Sequence, residues 1–287
     1  MKNTAVEGLS FVVVCLIMLS GCREEPLSGP TAISTPHSFQ SEEEAFEHYL
    51  KAAEGGHAKA QYIIAYRYYT GDGVEQDYKQ ALKWFRKAAE QGVAAAQYNL
   101  GAMYANGEGV EQDQKQALEW FRKAAEQGDA EAQINLAYMY DGGVGTEQDR
   151  LQAVKWFRKA AEQGNAEAQT NLGTMYASGE GVKQDNQQAL EWFHKAVEQG
   201  NADAQFSLGL MYFNGNGVKQ DPEQAVKWFR KAAEQGDADS QYNLGVMYED
   251  GEGIEQSHKQ ALEWFRKAAR QGHEIAIQTL NDFGESL

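Results

Sequence analysis

The sequence predicts an all-α solenoid of helix–turn–helix repeats, and three observations predict it. Tryptophan recurs every 36 residues, at Trp84, Trp120, Trp156, Trp192, Trp228 and Trp264, and each is followed by Phe. Glycine recurs at the same interval, at Gly92, Gly128, Gly164, Gly200, Gly236 and Gly272. Between these marks apolar residues follow helical spacing rather than strand alternation. A fixed period of this size marks stacked supersecondary units.

Each unit reads as two helices. The first, as in Ala94 to Ala105, places Ala96, Leu100, Met103 and Tyr104 on one stripe. The second, Gln114 to Gln127, spaces Ala117, Trp120, Phe121 and Ala124 helically. Asp77, Asp113, Asp149, Asp185, Asp221 and Ser257 sit where N-caps belong, each with Gln three residues on, the pattern of a capping box. Pro222 suits the first helical position, where a missing N–H costs nothing. The glycine of each EQG ending supplies a left-handed C-cap, and Asp129, Asn165, Asn201 and Asp237 cap the next helix. Pairs such as Glu119 with Lys123 are a solvated face.

The two helices are joined by glycine-rich turns at 71–73, 107–109, 143–145, 179–181, 215–217 and 251–253. A glycine loop opening a helix suggests a phosphate cradle. Such a site needs a preceding strand and a nearby Lys or Mg²⁺ ligand. No strand pattern precedes these turns, an Asp already caps the helix downstream, and the turns carry acids. Glycine here serves positive φ between antiparallel helices.

The motif Ala-Gln-x-Asn-Leu-Gly-x-Met-Tyr, then Gly-x-Gly-Val, then Ala-x-x-Trp-Phe-x-Lys-Ala-Ala resembles the Sel1-like repeat, a relative of the tetratricopeptide repeat. The resemblance implies a right-handed superhelix. It covers a half unit at 41–56, full units 57–92, 93–128, 129–164, 165–200, 201–236 and 237–272, and a capping helix within 273–287. The half unit carries His48 and Tyr49 at the Trp-Phe positions. Atypical ends suit a solenoid, whose repeats bury their faces only against neighbours.

Residues 1–21 read as a targeting signal. Leu9 to Leu19 is apolar but too short to span a bilayer about 30 Å thick. The following Leu19-Ser20-Gly21-Cys22 resembles a bacterial lipobox, which implies lipid attachment at Cys22. Arg23, in place of a retaining Asp, implies the outer membrane, facing the periplasm or the cell exterior. Cys15 leaves with the signal, so no intrachain disulfide is expected. Residues 22–40 hold three of the four prolines and read as a tether, about 23 Å end to end as a flexible coil.

The formal net charge is −16, which disfavours nucleic acid and favours basic or neutral partners. The six histidines include no i, i+4 pair, so neither metal nor cofactor is expected. Cysteine-rich members of the resembled family are linked to β-lactam binding or hydrolysis. This chain lacks their cysteine pairs and has no Ser-x-x-Lys. The expectation is therefore a non-enzyme, with a β-lactam- or peptidoglycan-directed enzyme as the alternative from another class. The tryptophans are read as core, packing one unit on the next, rather than as a carbohydrate platform.

With the core repeating, function should lie where the units differ. With Ala96 at 0° and about 100° per residue, positions 98, 102 and 105 fall opposite the core stripe. Those positions vary. The resemblance implies that they line a concave groove that holds a peptide or protein partner. The candidate groove residues are Tyr62, Tyr66, Tyr69, Tyr98, Tyr138, Phe206, Leu210, Phe213 and Tyr242. Two aromatic clusters, Tyr62/Tyr66/Tyr69 and Phe206/Leu210/Phe213, read as binding anchors, with packing against neighbouring helices as the competing reading. Few basic residues lie on these helices, which disfavours a carboxylate clamp and suits an apolar or neutral segment. The expected protein is a monomeric, non-catalytic adaptor that meets the membrane only through its lipid anchor; a host-facing surface lipoprotein is the alternative.

Overall fold

The computed structural model describes residues 42–285. The segments read as signal, Cys22 attachment site and tether lie outside them. All fourteen elements among the described residues are α-helices: α1 (Glu42–Glu54), α2 (Ala58–Thr70), α3 (Tyr78–Glu90), α4 (Ala94–Asn106), α5 (Gln114–Glu126), α6 (Ala130–Gly142), α7 (Arg150–Glu162), α8 (Ala166–Ser178), α9 (Asn186–Glu198), α10 (Ala202–Asn214), α11 (Pro222–Glu234), α12 (Ala238–Asp250), α13 (His258–Arg270) and α14 (Glu274–Asp282). None is long and apolar enough to cross a membrane. The chain divides after Gln148 into two units. Within the first, α1 to α6 pack each on the next; within the second, α7 to α14 do the same. Even-numbered helices from α2 to α12 are the first helices of the repeats, and the odd-numbered ones after them are the second.

The caps follow the sequence, with one change. Each second helix starts at an Asp or Ser whose side chain accepts backbone N–H groups; Asp113, for example, accepts from Lys115 and Gln116. At five of the six N-caps the backbone N–H does not take the reciprocal bond of the predicted capping box. The Asp113 N–H donates instead to the Tyr104 carbonyl, and Asp77, Asp185, Asp221 and Ser257 bond to Tyr68, Tyr176, Tyr212 and Tyr248 in the same way. The last turn of the first helix supplies the acceptor for that N–H. The N-cap thus ties both helices of a repeat together. At the EQG endings Gly92 and Gly128 have φ of 88° and 97°. The N–H of Val93 reaches Ala88 and that of Gly92 reaches Ala89, which is a Schellman closure.

The core is built from one large ring per repeat. Phe85, Phe193, Phe229 and Phe265 are fully buried. In the second unit Trp228 packs on the cluster that joins Phe193 to Leu208 and Met211, and Trp264 on the one that joins Phe229 to Leu244 and Met247, so each tryptophan seals a seam between its own repeat and the one before. Trp84, Trp156 and Trp192 are buried, whereas Trp120, Trp228 and Trp264 remain partly open. A lysine three residues on covers every one of them, at 3.6 Å from the Trp264 centroid and 4.2 Å from that of Trp84.

Polar bonds also join repeats. Buried Gln97 of α4 donates to the Ala89 carbonyl at the end of α3 and accepts from Gln127 at the end of α5. Gln61 and Gln241 bond in the same way. The register position in α14 is Ile277, where no further repeat follows among the described residues to use a glutamine. Arg86, Arg158 and Arg230 each donate to the tyrosine hydroxyl 18 residues on.

Candidate partner-binding face

All nine candidate groove residues are half-buried, neither sealed in the core nor free of it. Their position has a cause. Tyr62, Tyr98, Phe206 and Tyr242 each lay a ring against the core Phe of the same repeat, with centroids 5.6 to 5.9 Å apart. The support therefore comes from the repeat's own second helix rather than only from the neighbouring repeat. Tyr66 lies beside Tyr62. Leu210 and Phe213, with Phe206, pack on the cluster of Val226, Phe229, Leu244 and Met247. Tyr242 also stacks on His273, at 4.9 Å.

Tyr69 takes a structural part. Its hydroxyl donates to Glu108, in the turn of the next repeat, at 2.9 Å, and its ring meets Tyr78. Burial first, and then the bond to Glu108, holds its hydroxyl above the usual tyrosine range. Tyr138 lines a recess of about 260 Å³ in the first unit, with Met139 and Phe121 among its walls and Asn106, Gln112, Gln114 and Asn135 contributing amides.

The opposite-face reading fails at four of the other varying positions, while Thr174 is exposed and Asp141, Ala177, Val246 and Glu249 are half-buried. Ala102, Ala105, Ile134 and Thr170 are buried. A first helix is enclosed by the second helices before and after it as well as by its own turn, so the open strip is narrower than half a helix. Glycine at 101, 173, 209 and 245 lets the core Phe approach the helix backbone; a Cβ at Gly209 would meet the Phe229 ring at 2.5 Å.

A second feature of this face is its charge. Helices α4, α6, α8, α10 and α12 carry Glu131, Asp141, Glu167, Asp203, Asp239, Glu249 and Asp250, and no Lys, Arg or His. The lysines and arginines gather on the second helices, as in α3 with Lys79, Lys83, Arg86 and Lys87. The sorting is legible in the sequence once charges are counted helix by helix. Partial burial first, and then Asp237, Glu167 and Asp239, raises the Asp203 carboxyl above the usual carboxylate range. Among the described residues no group of acids, His or Cys is arranged to hold a metal ion.

The comparisons with known proteins agree with this architecture. The Sel1 repeat model matches seven times, at 37–57, 58–93, 94–129, 130–165, 166–201, 202–237 and 238–273. The chain belongs to the Sel1 repeat family. Among solved structures it is similar to a protective antigen present in uropathogenic Escherichia coli strains, with 45% identity and a TM-score of 0.76, over 80% of this chain and 50% of that one. The chain thus spans about half the length of that protein. It is also similar to a Sel1 repeat protein from Oxalobacter formigenes, with 34% identity and a TM-score of 0.70, over 79% of this chain and 91% of that one. A comparison with curated proteins found no match. The Sel1 repeat is a protein-interaction fold, and the six full copies give this chain six first helices.

Proposed function

We propose that this Sel1 repeat protein is a non-catalytic adaptor that holds a protein partner on the outer strip of its first helices. One observation carries the reading: the core positions repeat almost unchanged, while the half-exposed strip beside them changes from Tyr62 and Tyr66 to Phe206 and Leu210. Aromatics held rigid from behind and open in front are suited to anchor a partner at low entropic cost. Lipid attachment at Cys22 would keep the adaptor on the outer membrane.

The test is capture from envelope extract by the lipid-free chain. Tyr62→Ala/Tyr66→Ala and Phe206→Ala/Leu210→Ala are compared with a second-helix control, Lys83→Ala. A partner kept by the control and weakened about tenfold or more by a strip variant is expected, as for loss of an aromatic anchor. Equal capture by all forms overturns the reading.

A host-facing reading draws on the E. coli relative, which is described as a protective antigen. If this chain faces the cell exterior, protease added to intact cells removes it. Survival of the chain until the outer membrane is opened rejects this reading and leaves a periplasmic adaptor.

A further inference from the structure

We infer that the strip on α10 and α12 takes a basic segment of a protein partner, one whose apolar side chains alternate with Lys or Arg. The inference rests on the proposal that first helices bind, and it replaces the expected apolar or neutral occupant with a cationic one. On α10, Asp203, Phe206 and Leu210 stand at i, i+3 and i+7; on α12, Asp239, Tyr242, Val246 and Asp250 continue that spacing by another turn. Each helix therefore presents an acid, then two large apolar residues, and α12 ends on a second acid. Asp203, Asp239 and Asp250 are exposed, while Phe206, Leu210, Tyr242 and Val246 are half-buried on the core clusters.

The acids are crowded by their own kind. Asp203 lies near Asp237, Glu167 and Asp239, which, after burial, raise its carboxyl above the usual range. Two imidazoles reach these acids, His273 on Asp239 at 3.1 Å and His258 on Glu249 at 2.7 Å, while Arg158 and Arg230 reach the hydroxyls of Tyr176 on α8 and Tyr248 on α12. No Lys or Arg lies on α8, α10 or α12 to compensate them. Like charges left together raise the free energy of the unbound face, and a cationic ligand relieves it. A purely apolar segment would cover the rings and leave that repulsion in place. An acidic segment would add to it. Nucleic acid is excluded by the same field.

The experiment pans random peptides displayed on phage against the whole lipid-free chain, then measures the selected peptides by fluorescence anisotropy. Two variants are compared with the wild type: Phe206→Ala/Leu210→Ala, and Asp203→Lys/Asp239→Lys/Asp250→Lys, whose exposed positions leave the core intact. Selected peptides rich in Lys or Arg and in apolar residues are expected, with affinity reduced about tenfold or more by either variant and falling as salt rises. Peptides lost with the Phe206/Leu210 variant but without basic enrichment, or indifferent to charge reversal, overturn the inference and leave the binding face standing. Peptides that bind all three forms equally, or no selection above background, overturn both.

Discussion

Phe229→Ala is expected to lower the free energy of unfolding by about 3–5 kcal/mol, the cost of removing a buried ring and leaving a cavity. The ring is 1% exposed and lies among Ala225, Val226, Ala233, Leu244 and Met247, with Phe206, Leu210 and Trp264 around the edge. It therefore fixes α11 against the first helices on either side. Two features keep the cost at the upper end. Gly209 faces the ring with no side chain, so α10 has nothing to fold into the space. Phe206 packs its ring, tilted, against Phe229 with centroids 5.9 Å apart, so the outer strip loses its support with the core. Urea denaturation of the whole chain, followed by circular dichroism and tryptophan fluorescence, measures the change. Because each repeat meets only its neighbours, the fluorescence transition is expected to separate from the helical one as the chain loses cooperativity. A loss below about 1 kcal/mol would mean that neighbouring repeats close the cavity, contrary to this packing.

The sequence shows the repeat because its signals are local. A 36-residue period, N-cap acids and EQG endings specify helices without reference to anything distant, and the helices form where those signals place them. The strip was only half legible for the same reason. A helical wheel describes one helix alone, whereas α4 touches partners on three sides, so Ala102 and Ala105 are covered although they lie opposite Leu100. Gln97 stands in every repeat, yet nothing local says that an amide is buried; its role appears only when Ala89 and Gln127 are brought to it. The capping boxes failed in the same way: Gln116 competes with a carbonyl that belongs to another helix. Charge sorting between first and second helices needed no structure, only counting by element rather than over the whole chain.

Gly109→Ala is the second large effect expected, and a paired variant separates its causes. Gly109 has φ of 69°, and a Cβ there would come within 2.5 Å of the Tyr78 carbonyl, at the start of the preceding repeat's second helix. Gly128 also has positive φ, 97°, but a Cβ there meets nothing within 4 Å. Gly128→Ala should therefore cost only the left-handed strain of a side chain, about 1–2 kcal/mol. Gly109→Ala carries that strain and must also push the α3 terminus away, so its cost is expected to exceed that of Gly128→Ala by about 1 kcal/mol or more. Equal losses in urea titrations of the two variants would reduce Gly109 to a local turn residue. A larger loss makes the turn a contact between repeats, because the carbonyl it touches lies 31 residues back (109 − 78) in the unit before. The same close approach recurs in the second unit, where Gly217 faces Asn186 and Gly253 faces Pro222. Glycine in these turns is then required twice, once by its own φ and once by the backbone of its neighbour, and the second requirement spaces one repeat against the next.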